Sequence, residues 1–107
     1  MTFDNVSLFP MGSKLSENGT LTVGGCDITS LAQKYGTPLY VYDENTIRTM
    51  AKTFVKEFTS RYESTVVAYA SKAFLTKAMA RIANEEGISF CLLYTSDAAD
   101  DTPCVDL

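Results

Sequence analysis

The chain has no histidine and only three cysteines, Cys26, Cys91 and Cys104, none of them in a CxxC pair. Structural zinc sites need closely spaced cysteine and histidine, and disulfide frameworks need a dense, even set of cysteines. Neither is supported, so no metal centre is expected. Long apolar runs are missing as well: nothing approaches the ~20 consecutive apolar residues that cross a bilayer. Residues 1–10, MTFDNVSLFP, also lack the basic-then-apolar order of a secretory signal. The expectation is a soluble cytoplasmic protein with no membrane partner.

What is present suits a globular chain: 107 residues, 46% hydrophobic and 21% charged, enough for one small domain. Residues 1–19 are polar and punctuated, with turns expected at Phe9-Pro10-Met11-Gly12 and Glu17-Asn18-Gly19. Leu21 and Val23 alternate with Thr20 and Thr22, which predicts a short, half-exposed strand ended by Gly24-Gly25. Asp27 is placed to cap a helix over residues 28–35, with Ile28, Leu31 and Ala32 inward and Gly36 past its end. Residues 37–42, TPLYVY, read as a strand. Asp43 then opens a helix over residues 44–60. Its apolar residues Ile47, Met50, Ala51, Phe54, Val55 and Phe58 recur at helical period and are expected to face the core. Arg48, Lys52, Lys56 and Glu57 are expected on a solvated face, not on a nucleic-acid surface. A further helix is predicted over residues 75–86, with Leu75, Ala78, Met79, Ile82 and Ala83 inward, followed by a strand starting at Ile88. Strands alternating with helices define an α/β class with a parallel sheet.

Residues 66–74, VVAYASKAF, stand out. Two valines in a run of apolar and aromatic residues read as a strand covered on both faces, as in a parallel sheet. It leads straight into Lys72. A lysine shielded from water has a lowered pKa, and its neutral amine can form a Schiff base with a carbonyl. The plain alternative is that Lys72 marks where the strand surfaces into solvent. The residues by themselves leave both open.

YASKAF, with GTPLYVYDENTIR before it and LTKAMARIANEEGISF after it, resembles the N-terminal part of the diaminopimelate decarboxylase family. That family belongs to the alanine-racemase-like, pyridoxal-phosphate (PLP) enzymes of fold type III. The resemblance runs from about Leu21 to Phe90 in order and spacing. It departs at Phe74, where related decarboxylases more often carry asparagine. The resemblance implies that the chain is the N-terminal part of a TIM-type (β/α)₈ barrel, with Lys72 as the catalytic residue that binds PLP covalently and Ala70 beside the cofactor ring. It further implies an amino-acid substrate, meso-diaminopimelate, decarboxylated to L-lysine. The intact enzyme would be a homodimer whose phosphate-binding and substrate-binding groups lie downstream. Two other functions fit the same motifs: another fold-type III decarboxylase acting on a basic amino acid, or a non-catalytic PLP-binding module.

Three segments are expected: residues 1–26 as an N-terminal extension and strand, 27–90 as a partial PLP-binding barrel domain, and 91–107 as a non-native tail. The tail, CLLYTSDAADDTPCVDL, does not continue the family pattern and resembles the conceptual translation of a sequencing-library adapter. It carries Asp97, Asp100, Asp101 and Asp106 and no basic residue. Without it, nine acidic residues face nine basic ones, so the net charge of −4 implies no acidic-tail function. A chain of two or three βα units cannot close a barrel. It is expected to leave apolar helix faces uncovered, to aggregate or unfold in part, and to be inactive alone.

Overall fold

The computed structural model describes residues 6–91 and the backbone of residues 104 and 105. The chain divides between Ile47 and Arg48 into two compact units.

In the first unit, β1 (Lys14–Leu15), β2 (Leu21–Val23) and β3 (Cys26–Asp27) form an antiparallel meander in the order β1-β2-β3. Both hairpins follow from local turn chemistry. Gly19, at φ 77°, completes the first turn, where the Ser16 N–H donates to the Thr20 carbonyl at 2.9 Å. Gly24 and Gly25, at φ 57° and 79°, make the two-residue loop between Val23 and Cys26, which pair across it. Positive φ at both central residues is the turn that matches strand twist, and glycine adopts it without steric cost. The glycine pair therefore joins two strands where the sequence pattern marked only the end of one.

The helix α1 (Ile28–Tyr35) begins as expected. The Asp27 carboxylate accepts from the Ser30 N–H at 2.9 Å, satisfying a donor that the first turn leaves over. Ile28, Leu31 and Ala32 are half-buried, and Val23 is the one buried apolar residue among the described residues of this unit. The strand expected over residues 37–42 does not form. No described strand pairs with it, its residues are exposed, and Pro38 has no N–H to give to a ladder.

Helix α2 (Glu44–Thr59) crosses the division, one turn in. Asp43 caps it, accepting from the Thr46 N–H at 2.9 Å and from the Thr46 hydroxyl. These bonds, the hydroxyl's first, hold the Asp43 carboxyl below its ordinary pKa. The apolar stripe of α2 is only partly buried, which corrects the expectation of a core face. Ala51 is buried, but Met50, Phe54 and Phe58 are 49%, 52% and 47% exposed, with the two phenylalanine rings stacked at 6.4 Å. The reason lies on the neighbouring edge of the helix, where Arg48, Ala51, Lys52 and Val55 recur at i, i+3, i+4 and i+7. Arg48 donates to Glu86 at 2.8 Å and to Glu85 at 2.7 Å, and the Lys52 amine lies 3.6 Å from Glu86. This edge is tied to the next helix, so Arg48 and Lys52 are not simply the solvated face that was expected.

In the second unit, β4 (Ala68–Ala70), α3 (Lys77–Glu85) and β5 (Ser89–Cys91) form a βαβ unit with β4 and β5 parallel in register Ala68↔Ser89, Tyr69↔Phe90 and Ala70↔Cys91. A two-residue strand β6 (Cys104–Val105) adds antiparallel to β5. Helix α3 starts two residues later than expected because Thr76 is its cap, the hydroxyl accepting from the Met79 N–H at 3.1 Å. Leu75, which precedes the cap, is exposed, as is Ala78, while Ile82 and Ala83 are buried and Met79 half-buried. Gly87, at φ 74°, turns the chain into β5. The fold is thus mixed α/β with one parallel strand pair, and no described helix is long and apolar enough to cross a membrane.

Candidate functional site at the exit of β4

Strand β4 is not covered on both faces: Ala68 and Ala70 are exposed, Tyr69 is half-buried, and Val66 before it is exposed. Among the described strands β5 alone pairs with it, on one edge; the face carrying Tyr69 packs against Phe90, and the face carrying Ala68 and Ala70 is exposed. Side chains alternate across a strand. On the covered face, Tyr69 meets Phe90 edge to face, with ring centroids 6.2 Å apart, and Phe90 is the most buried aromatic among the described residues at 4% exposure. Ser71 is also buried, at 6%. Its hydroxyl donates to the Cys91 carbonyl at 2.9 Å and its N–H to the same oxygen at 3.4 Å.

Beyond Ala70 the chain turns. The Ala73 N–H donates to the Ala70 carbonyl at 3.5 Å, which makes Ser71 and Lys72 the two central residues of the turn. The Tyr69 hydroxyl reaches forward and donates to the Phe74 carbonyl at 2.7 Å. Lys72 therefore sits at the C-terminal end of a parallel strand, as expected, but it is exposed and not shielded from water. The correction has the same cause as the bare face of β4: no further strand or loop among the described residues stands over the turn. Ala70 is exposed too. Tyr69 and Ser71, which look like plain packing residues in sequence, supply the side-chain hydrogen bonds that hold the turn. The strand register, which pairs Ala70 with Cys91, reveals the acceptor of Ser71, and the turn brings the Phe74 carbonyl to Tyr69.

A small-residue strand running into an exposed lysine, then a capped helix and a parallel strand, defines an α/β chain with an amine at a strand exit. No family model matches it. Individual relatives do. It is 49% identical over 92 residues to the diaminopimelate decarboxylase of Bacillus subtilis (strain 168), a match covering 81% of this chain and 21% of that protein. It is 53% identical over 77 residues to that of Bacillus methanolicus, covering 72% and 18%. It is 39% identical over 87 residues to that of Synechocystis sp. (strain ATCC 27184 / PCC 6803 / Kazusa), covering 80% and 19%. The chain belongs with the diaminopimelate decarboxylases, and it spans about a fifth of the length of the curated relatives it matches.

Proposed function

We propose that this chain is the lysine-bearing segment of a PLP-dependent carboxy-lyase that converts meso-diaminopimelate to L-lysine and CO₂. The supporting observation is the 49–53% identity to two named diaminopimelate decarboxylases across a segment with Lys72 at the mouth end of a parallel strand. In (β/α)₈ barrels catalytic groups stand at strand C-termini, and β4-α3-β5 is one such repeat. The complete enzyme is read as such a barrel, cytoplasmic and homodimeric.

The residues present fit the covalent end of the cofactor. Lys72 offers a primary amine that solvent can reach, and Ala70, exposed beside it, carries only a methyl group against which a flat ring can lie. When bound, PLP supplies an electron sink for the pair left behind as CO₂ departs. Lys72 Nζ would hold the cofactor, and when not so engaged it would be the group placed to carry a proton to or from the substrate carbon. Ser71 and Tyr69 keep the backbone under Lys72 in one conformation meanwhile.

The segment from Cys91 to Leu107 is read as a translated adapter and not as enzyme sequence. Residues 92–103 and 106–107 lie outside the described residues. A gene joining residues 1–90 to the remaining four-fifths of the Bacillus subtilis enzyme tests function and tail together. It is expected to release CO₂ from meso-diaminopimelate, and Lys72→Ala to abolish release. A folded hybrid without activity, or activity that survives Lys72→Ala, overturns the assignment. The 107-residue chain alone is expected to release none.

A further inference from the structure

We propose that Ser71 and Tyr69 are positioning residues for Lys72, acting through the backbone turn that carries it; this rests on Lys72 being the PLP-binding lysine. Hydrogen bonds pin the turn at both ends. At its start, the Ser71 hydroxyl and N–H converge on the Cys91 carbonyl at 2.9 and 3.4 Å. At its finish, the Tyr69 hydroxyl holds the Phe74 carbonyl at 2.7 Å. Between them the Ala73 N–H closes onto the Ala70 carbonyl at 3.5 Å.

The anchors are themselves fixed. Ser71 is buried, and the Tyr69 ring stands edge-on against buried Phe90, which sets where its hydroxyl can reach. The acceptor at position 91 is a main-chain carbonyl, so the lock does not depend on which side chain stands there. Lys72 carries many rotamers, and its amine can be presented reproducibly only if its Cα does not wander. Residues 69 and 71 make the anchoring contacts, while Ala70 and Lys72 are left exposed.

The test uses the whole 107-residue chain, PLP, borohydride reduction and peptide mapping across the six lysines, at several pH values. In the wild type, Lys72 is expected to take more label than the mean of Lys14, Lys34, Lys52, Lys56 and Lys77. Ser71→Ala and Tyr69→Phe are each expected to cut that excess about fivefold, the equivalent of one neutral hydrogen bond, and to alter its pH profile. Ser71→Thr, which keeps the hydroxyl, is expected to retain both, with far-UV circular dichroism checking that each variant keeps its helices. An excess unchanged in both Ser71→Ala and Tyr69→Phe, or lost equally in a folded Ser71→Thr, overturns the positioning role and leaves Lys72 as the PLP lysine. Uniform labelling in the wild type instead overturns the assignment of Lys72 itself.

Discussion

Two phenylalanines of the second unit offer a controlled comparison. Phe90 is 4% exposed on β5 and Phe54 is 52% exposed on α2. Truncating each to alanine removes the same atoms from opposite environments. Phe90→Ala gives up the full transfer free energy and leaves a cavity against Tyr69, a loss of about 3–5 kcal/mol. Phe54 already has half its surface in water, so Phe54→Ala gives up about 1 kcal/mol of transfer free energy and opens no cavity. A unit of this size is stabilised by only a few kcal/mol. Phe90→Ala is therefore expected to remove most of that stability, and Phe54→Ala to be tolerated. Urea titration followed by circular dichroism at low protein concentration reads the difference. With a slope of about 1–2 kcal/mol per molar urea, Phe54→Ala should move the midpoint by less than about 1 M. Phe90→Ala should move it by more than about 1.5 M or abolish the transition. Equal shifts, or a larger one for Phe54→Ala, would refute the burial argument. Light scattering adds a second contrast, since Phe54→Ala should also reduce self-association by trimming the stacked pair it forms with Phe58.

Further outcomes follow from the polar contacts. The Arg48 hydrogen bond, acting with the Lys52 charge, holds the Glu86 carboxyl below its ordinary value of 4.5. A folded-state pKa below the unfolded one means that this contribution is complete above about pH 5 and is lost as pH falls through the folded value. Thermal melts should thus weaken in acid, and Glu86→Gln should flatten that dependence. Thr76→Ala removes the α3 cap and should cost about 1 kcal/mol, seen as a lower melting temperature that Thr76→Ser restores. Gly25→Ala meets no atom within 4 Å and should suffer only the backbone penalty of about 1–2 kcal/mol. Gly24→Ala should be worse, because its new Cβ would lie 2.6 Å from the Asp43 carboxylate that caps α2. Equal melting temperatures for the two glycine variants would contradict this.

Much of the local structure is legible because its causes are local. Asp27 and Asp43 announce their helices, Gly36 and Gly87 end theirs, and the 3.6-residue period marks all three helices. Lys72 at a strand exit is legible for the same reason, and so is family membership, carried by the motifs around it. What sequence reasoning overreached on is burial. TPLYVY has the composition of a strand, but strand formation needs a neighbour, and none of the described strands provides one. The α2 stripe and both faces of β4 look like core because periodicity shows which side is apolar, not what covers it. The Arg48–Glu86 tie joins residues far apart in sequence and has no local signature. Thr76, three residues before Met79, has the spacing of a helix cap, a signal that the apolar Leu75 beside it obscures.

The pleat of β4 makes this region sensitive to length as well as composition. One codon gained or lost within residues 68–70 would exchange which of these strand residues face Phe90 and which face solvent. Because Ser71 and Lys72 are the central residues of the turn closed by the Ala73 N–H onto the Ala70 carbonyl, the same change would also move the lysine from its place beside the Ser71 anchor. Homologous chains should accordingly vary in which small residues they use there, while the count of residues from the tyrosine to the lysine stays fixed.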